Sequence, residues 1–126
     1  MTTRPIEVEL RVRDLGGAVR FYRDLVGLPF GEIERHESED VPHAHATWGD
    51  WGGGEFFIVS LYRADAGGPT RASVGFAVDD LDAVHARLVS AGAKVTRPPE
   101  RRPWGTSATY QDADGNTVIL TQRPSK

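Results

Sequence analysis

Two imidazoles, His43 and His45, stand two residues apart, and a carboxylate, Glu7, sits upstream in a short alternating segment. Residues i and i+2 share one face of a strand, so the two rings could chelate a cation, hydrogen-bond a ligand, or form a solvated pair at a strand edge. Glu7 could act as a metal ligand or general base, or as an ordinary ion-pair member with Arg11 on the same face. Cysteine is absent, which removes disulfides, thiolate ligands and cysteine nucleophiles and leaves any metal to His, Asp or Glu. Trp48, Trp51 and Trp104 flank turns; such rings can stack on a planar ligand or a cation, or pack a sheet end or a dimer interface. Trp51 is the one expected to be exposed, because Gly49 and Gly52-Gly53-Gly54 surround it. His36, in an acidic loop, and His85, on a helix, read as solvated side chains.

These residues need elements to hold them. Ile6, Val8, Leu10 and Val12 alternate with Glu7, Glu9 and Arg11, the period of a half-buried strand. Asp14 then caps a helix whose Ala18, Phe21, Tyr22 and Leu25 keep helical spacing until Gly27 stops it. The same order returns from Ser73: Val74, Phe76 and Val78 alternate, Asp80 caps, Leu81, Val84, Leu88 and Ala91 recur, and Gly92 ends the helix. Asp14 and Asp80 are 66 residues apart, as are Leu10 and Phe76, so the chain is an internal repeat. Further strands are expected at Glu55–Tyr62 and Thr117–Gln122, a third one carrying His43 and His45, and weaker ones near Phe30–Ile33 and Ala93–Thr96. The turns also correspond, Gly54–Ile58 overlaying Gly115–Ile119.

The fold class is therefore α+β, two βαβββ modules at about 5–63 and 71–123 joined by a linker at about 64–70, within one domain over 1–126. One helix covers only one face of each sheet. In the first strand the apolar set must meet the helix, which turns Glu7, Glu9 and Arg11 to the other, concave side. By the same parity Phe57, Val59 and Leu61 pack on the helix, while Phe56, Ile58, Ser60 and Tyr62 look away from it.

A net charge of -3 without a basic field argues against nucleic acid. The longest apolar run, Phe56–Leu61, is far below the roughly 20 residues of a membrane span, and the N-terminus lacks a signal-peptide core, which predicts a cytoplasmic protein. The glycine run at 52–54 is not a phosphate loop, since neither lysine nor a helix pattern follows, and reads as a mobile hairpin. Five acids between Glu32 and Asp40 and three arginines between Arg97 and Arg102 read as solvated runs, the acidic one alternatively overhanging the cavity to favour a cationic ligand.

Residues 12–28, Phe76–Leu81, and Trp104-Gly105 followed by Asp112-Ala113-Asp114-Gly115-Asn116 together resemble the vicinal oxygen chelate superfamily of glyoxalases, bleomycin-resistance proteins and dioxygenases. The match covers nearly the whole chain, with Ala113 where that family usually has proline. The resemblance implies a U-shaped sheet in each half, a concave cavity often completed by a second subunit and, in the metalloenzymes, one metal ligand on each first and last strand. Carried over, those positions are Glu7, Ile58, Ser73 and Ile119, of which only Glu7 binds a metal well.

No metal and no cofactor are therefore expected. The ligand-contacting set is Glu7, Glu9, Arg11, His43, His45, Trp48, Trp51, Phe56, Ile58, Tyr62, Trp104 and Ile119, around space left by Ser73, Gly75 and Ala77. The resemblance favours the bleomycin-resistance branch: a homodimer sequestering a bulky aromatic or cationic antibiotic or natural product without transforming it. The alternatives are a lyase, isomerase or dioxygenase of this fold, with a non-standard site of Glu7 and His43 or His45, and a biosynthetic accessory module.

Overall fold

The structure, a computed structural model, describes residues 3–36 and 39–124. The side chains of 35, 36 and 39–41 lie outside that description, and with them the reading of His36 and the Glu37, Glu39 and Asp40 part of the acidic run, of which Glu32 and Glu34 are exposed. The chain divides into two compact units, Met1–Pro69 and Thr70–Lys126, at the end of the expected linker. The first holds β1 (Glu7–Val12), α1 (Leu15–Val19) continuing as π-helical turns over Arg20–Val26, β2 (Glu34–His36), β3 (Glu39–Trp48) and β4 (Phe57–Arg63). The second holds β5 (Ser73–Ala77), α2 (Leu81–Ser90), β6 (Lys94–Arg102), β7 (Gly105–Gln111) and β8 (Thr117–Gln122). The sheets are ordered β1-β4-β3-β2 and β5-β8-β7-β6, with the first pair parallel and the others antiparallel in each. The α+β fold of two βαβββ modules expected from the repeat is what the chain forms.

Each helix starts as its sequence dictates. The Asp14 carboxylate accepts from the Gly17 amide at 3.0 Å and the Asp80 carboxylate from the Ala83 amide at 3.1 Å, satisfying first-turn N–H groups that have no partner within the helix. The Leu81 amide is taken by the Gln122 side chain at 2.7 Å, which ties α2 to β8. The apolar parity then decides the faces: Leu10, Val12, Ala44, Ala46, Val59 and Leu61 are wholly buried on the side of β1, β3 and β4 where α1 packs. Ala108, Tyr110, Val118 and Leu120 do the same in the second unit, with Leu81, Val84 and Leu88 of α2. Each full-sized aliphatic side chain buried this way contributes roughly 1.5–3 kcal/mol.

The weaker strand expectations shift. Phe30–Ile33 makes only an isolated bridge, Phe30 to Ala46, and the strand forms afterwards at Glu34–His36, because Pro29 and Gly31 interrupt the ladder. The segment expected at Ala93–Thr96 extends to Arg102, but its register slips between Val95 and Arg97 and again before Glu100, around Pro98-Pro99, which have no N–H to give. His85 is not a solvated side chain: its Nδ1 lies 2.7 Å from the Tyr110 hydroxyl, because the ring sits beside Val84 on the flank of α2 that meets β7. No helix among the described residues is long and apolar enough to cross a membrane.

Gly27 ends the π-helical turns with φ 98°, its amide and that of Leu28 both donating to the Tyr22 carbonyl, and Gly115 holds φ 91° in the turn before β8. We expect Gly27→Ala and Gly115→Ala each to lose about 1 kcal/mol in urea denaturation. Gly31→Ala, whose added Cβ meets nothing within 4 Å, should stay within about 0.5 kcal/mol. A second expectation concerns the Tyr110 phenol, which burial pushes up to about 12. A raised phenol favours the folded state while protonated, so its contribution is intact below the unfolded value of about 10 and is lost as pH rises through 12. Denaturation midpoints should therefore fall between about pH 10 and 12, and less steeply in Tyr110→Phe.

Candidate functional site

The face of the first sheet turned away from α1 carries most of the expected chemistry. Glu7 stands opposite Ile58, Glu9 opposite Ser60 and Arg11 opposite Tyr62; across the next ladder His43 meets Tyr62 and His45 meets Ser60. Glu34 on β2 is paired with His43. Registered partners project to the same side, so these residues form one continuous surface. The His43 ring is 1% exposed, stacked on Tyr62 at 5.1 Å and 25°, with the His45 ring 4.7 Å away.

A hydrogen-bonded chain crosses this face. The Ser60 hydroxyl donates to Glu7 Oε2 at 3.0 Å, and His45 Nδ1 lies 3.0 Å from the Ser60 hydroxyl oxygen. A carboxylate only accepts, so the single Ser60 hydrogen is committed to Glu7 and His45 must donate Nδ1–H to Ser60. The neutral ring then bears its lone pair on Nε2. The polarity runs from imidazole through hydroxyl to carboxylate, opposite to that of a nucleophilic serine activated by histidine. Ser60 is itself fully buried, which fixes the arrangement.

The ladders correct one sequence assignment. Glu7 and its counterpart Ser73 pair with Ile58 and Thr117, while Glu9 and its counterpart Gly75 pair with Ser60 and Ile119. Ser60, not Ile58, is thus the equivalent of Ile119. Overlaying the turns was two residues out, because the connection before β4 (49–56) is longer than that before β8 (112–116). A slip of two preserves facing, so the parity assignment holds while the position changes. The positions implied for a metal become Glu7, Ser60, Ser73 and Ile119: one carboxylate, two hydroxyls and an alkyl group. That set does not fit a Lewis-acid metal, and its carboxylate already accepts from Ser60.

Other expected contacts lie apart. Glu9 pairs with Arg11 at 3.1 Å, both partly exposed. Phe56 precedes β4 instead of standing on it; 9% exposed, it packs edge-to-face with Trp51 at 5.1 Å in a turn braced by Arg4, which donates to the Gly53 carbonyl. Trp51 is 81% exposed, as its glycine neighbours suggest. Trp48 falls by register on the α1 face, opposite the histidines, with Phe57 6.4 Å away. Trp104, exposed, sits between β6 and β7. Ile119 is part-exposed on the same face of the second sheet as Ser73, Gly75 and Ala77. A cavity of about 370 Å³ in the second unit, lined by Arg101, Arg102, Gln122 and Arg123 among others, was not foreseen, since the arginine run reads as solvated. Glu34 and Ser60 were also absent from the expected set; parity alone marked Ser60, and Glu34 was marked only as one of the five acids of the run 32–40.

A family model for the Glyoxalase/Bleomycin resistance protein/Dioxygenase superfamily matches residues 4–120. No curated protein matches the sequence. TnmS3, an antibiotic binding protein from Streptomyces sp. CB03234, is 26% identical with a TM-score of 0.69, covering 98% of each chain. TioX from Micromonospora sp. ML1 is also 26% identical at a TM-score of 0.69, over 97% of this chain and all of that one. A glyoxalase I mutant from Zea mays is 25% identical at a TM-score of 0.74, over 97% of this chain but 45% of its own. With its doubled βαβββ plan and a family match across both halves, the chain belongs to the glyoxalase/bleomycin resistance protein/dioxygenase superfamily.

Proposed function

We propose that this protein is a homodimeric small-molecule binder that sequesters an antibiotic or other bulky natural product without transforming it. The observation that carries this reading is the end-to-end likeness to the antibiotic binding protein TnmS3, 98% of each chain. The metal positions of the family's enzymes support it, since they hold no workable ligand set here. The ligand rests on the polar face of the first sheet, where the part-exposed Tyr62 ring, backed by the buried His43, offers a flat aromatic surface and Glu7 a carboxylate on the same face. Pairing of two copies follows from the open sheet faces and the prevalence of closed twofold assemblies.

A second reading is favoured by one feature, the His45–Ser60–Glu7 chain, which could move a proton to or from a bound substrate. Calorimetric titration with a panel of planar aromatic antibiotics, followed by mass analysis of the recovered compound, separates the two. Saturable binding with unchanged mass is expected; a mass-shifted product would favour the enzyme, and no binding across the panel would count against sequestration. Tyr62→Ala should weaken binding by about 0.5–1.5 kcal/mol with the melting temperature retained. Leu61→Ala, on the buried α1 face, should instead lower stability by about 2–5 kcal/mol.

A further inference from the structure

We propose that Glu34, His43 and His45 form a binding site for one divalent transition-metal ion of the Zn²⁺ class, displaced from the first-and-last-strand positions of the family's enzymes. One donor atom from each of the three lies within 4.8 Å of the others. Bonds of about 2.0–2.2 Å to a tetrahedral ion set donors about 3.4 Å apart, so a pair at the 4.8 Å limit must close by about 1.4 Å. The exposed Glu34 side chain has the freedom to make that movement, whereas the histidines are held. Glu34 faces His43 across the β2–β3 ladder, and His43 and His45 share a face of β3, so the backbone itself delivers the three groups.

The chemistry of the donors suits this class of ion: two imidazoles and one carboxylate leave at least one coordination position open to water or to an oxygen of an organic ligand. His45 is also prepared as a ligand. Its Nδ1–H is engaged by Ser60, which passes the contact to Glu7, so Nε2 is the nitrogen offered to a metal. A ligating histidine whose other ring nitrogen donates toward a carboxylate is the arrangement that fixes ring orientation in metal sites. In this scheme Glu7 and Ser60 are positioning residues. The site departs from the expectation of no metal, which weighed His43 and His45 only with Glu7 and left Glu34 out; it stands independently of the proposed antibiotic binding.

The test uses the full chain stripped with chelator and titrated with Co²⁺, followed by visible absorption, and with Zn²⁺ by calorimetry, with no organic ligand present. One ion per chain is expected. Ser60→Ala should weaken it by about 10–100-fold, and loss of a direct ligand in Glu34→Gln or His45→Ala should cost more than that. His85→Ala, whose ring is engaged with Tyr110 in the second unit, should bind as the parent does. His43 is buried, so His43→Ala is interpreted only if its melting temperature is retained; the exposed Glu34→Gln variant keeps the test decisive without it. Equal affinity in the parent and in Glu34→Gln/His45→Ala would overturn the proposal. So would binding abolished by Glu7→Gln yet unaffected by Glu34→Gln, which would put the ion at the family position.

Discussion

A β-strand can hand only every second side chain to a helix, and this limit organises both halves of the chain. With one helix per four-stranded sheet, Leu10, Val12, Val59 and Leu61 are drained into a buried face, and the residues between them are left to project elsewhere. The surplus face is where Glu7, Ser60, His43, His45 and Tyr62 meet. Its polarity is thus a by-product of packing as much as a functional choice, since any residue out of phase with the core must appear there.

The limit also explains which parts of the molecule could be read from sequence. Facing depends on neighbours one or two residues away, so Ile58, Ser60 and Tyr62 sort correctly from Phe57, Val59 and Leu61 without knowledge of any partner strand. Caps and stops are equally local: Asp14, Asp80, Gly27 and Gly115 carry their conformation in their own chemistry. Register is different in kind, because it depends on turn length and on which strand lies alongside. That is why Ser60 displaces Ile58 as the equivalent of Ile119, and why Phe56 is found closing a turn. Glu34 was illegible for the same reason: its approach to His43 requires the irregular β2–β3 pairing, which no periodicity encodes.

The turn before β8 shows how the second half is sewn together by polar groups where apolar ones run out. Asp112 accepts from the amides of Asp114 and Asn116 and from the Asn116 side chain, each at 2.9 Å. The Asn116 side-chain oxygen Oδ1 in turn accepts from the Thr70 hydroxyl and the Ala72 amide, so the strand that opens the second unit is anchored to the hairpin that closes it. With Asn116 fully buried, every polar group of that side chain must be satisfied internally, and the Asp-Ala-Asp-Gly-Asn sequence supplies the partners. Backbone shape and side-chain bonding thus agree where the parallel β5–β8 pair must be brought into register without a connecting turn of its own.

The direction of the His45–Ser60–Glu7 chain has a consequence for how quietly the site can change charge. Because His45 gives Nδ1–H to Ser60, a proton or cation arriving at Nε2 leaves that hydrogen bond pointing the same way. Neither the hydroxyl nor the carboxylate has to rotate, and the buried strand beneath them registers no reorganisation. The hydrogen-bonded chain thus keeps one polarity whatever the second nitrogen of the ring meets.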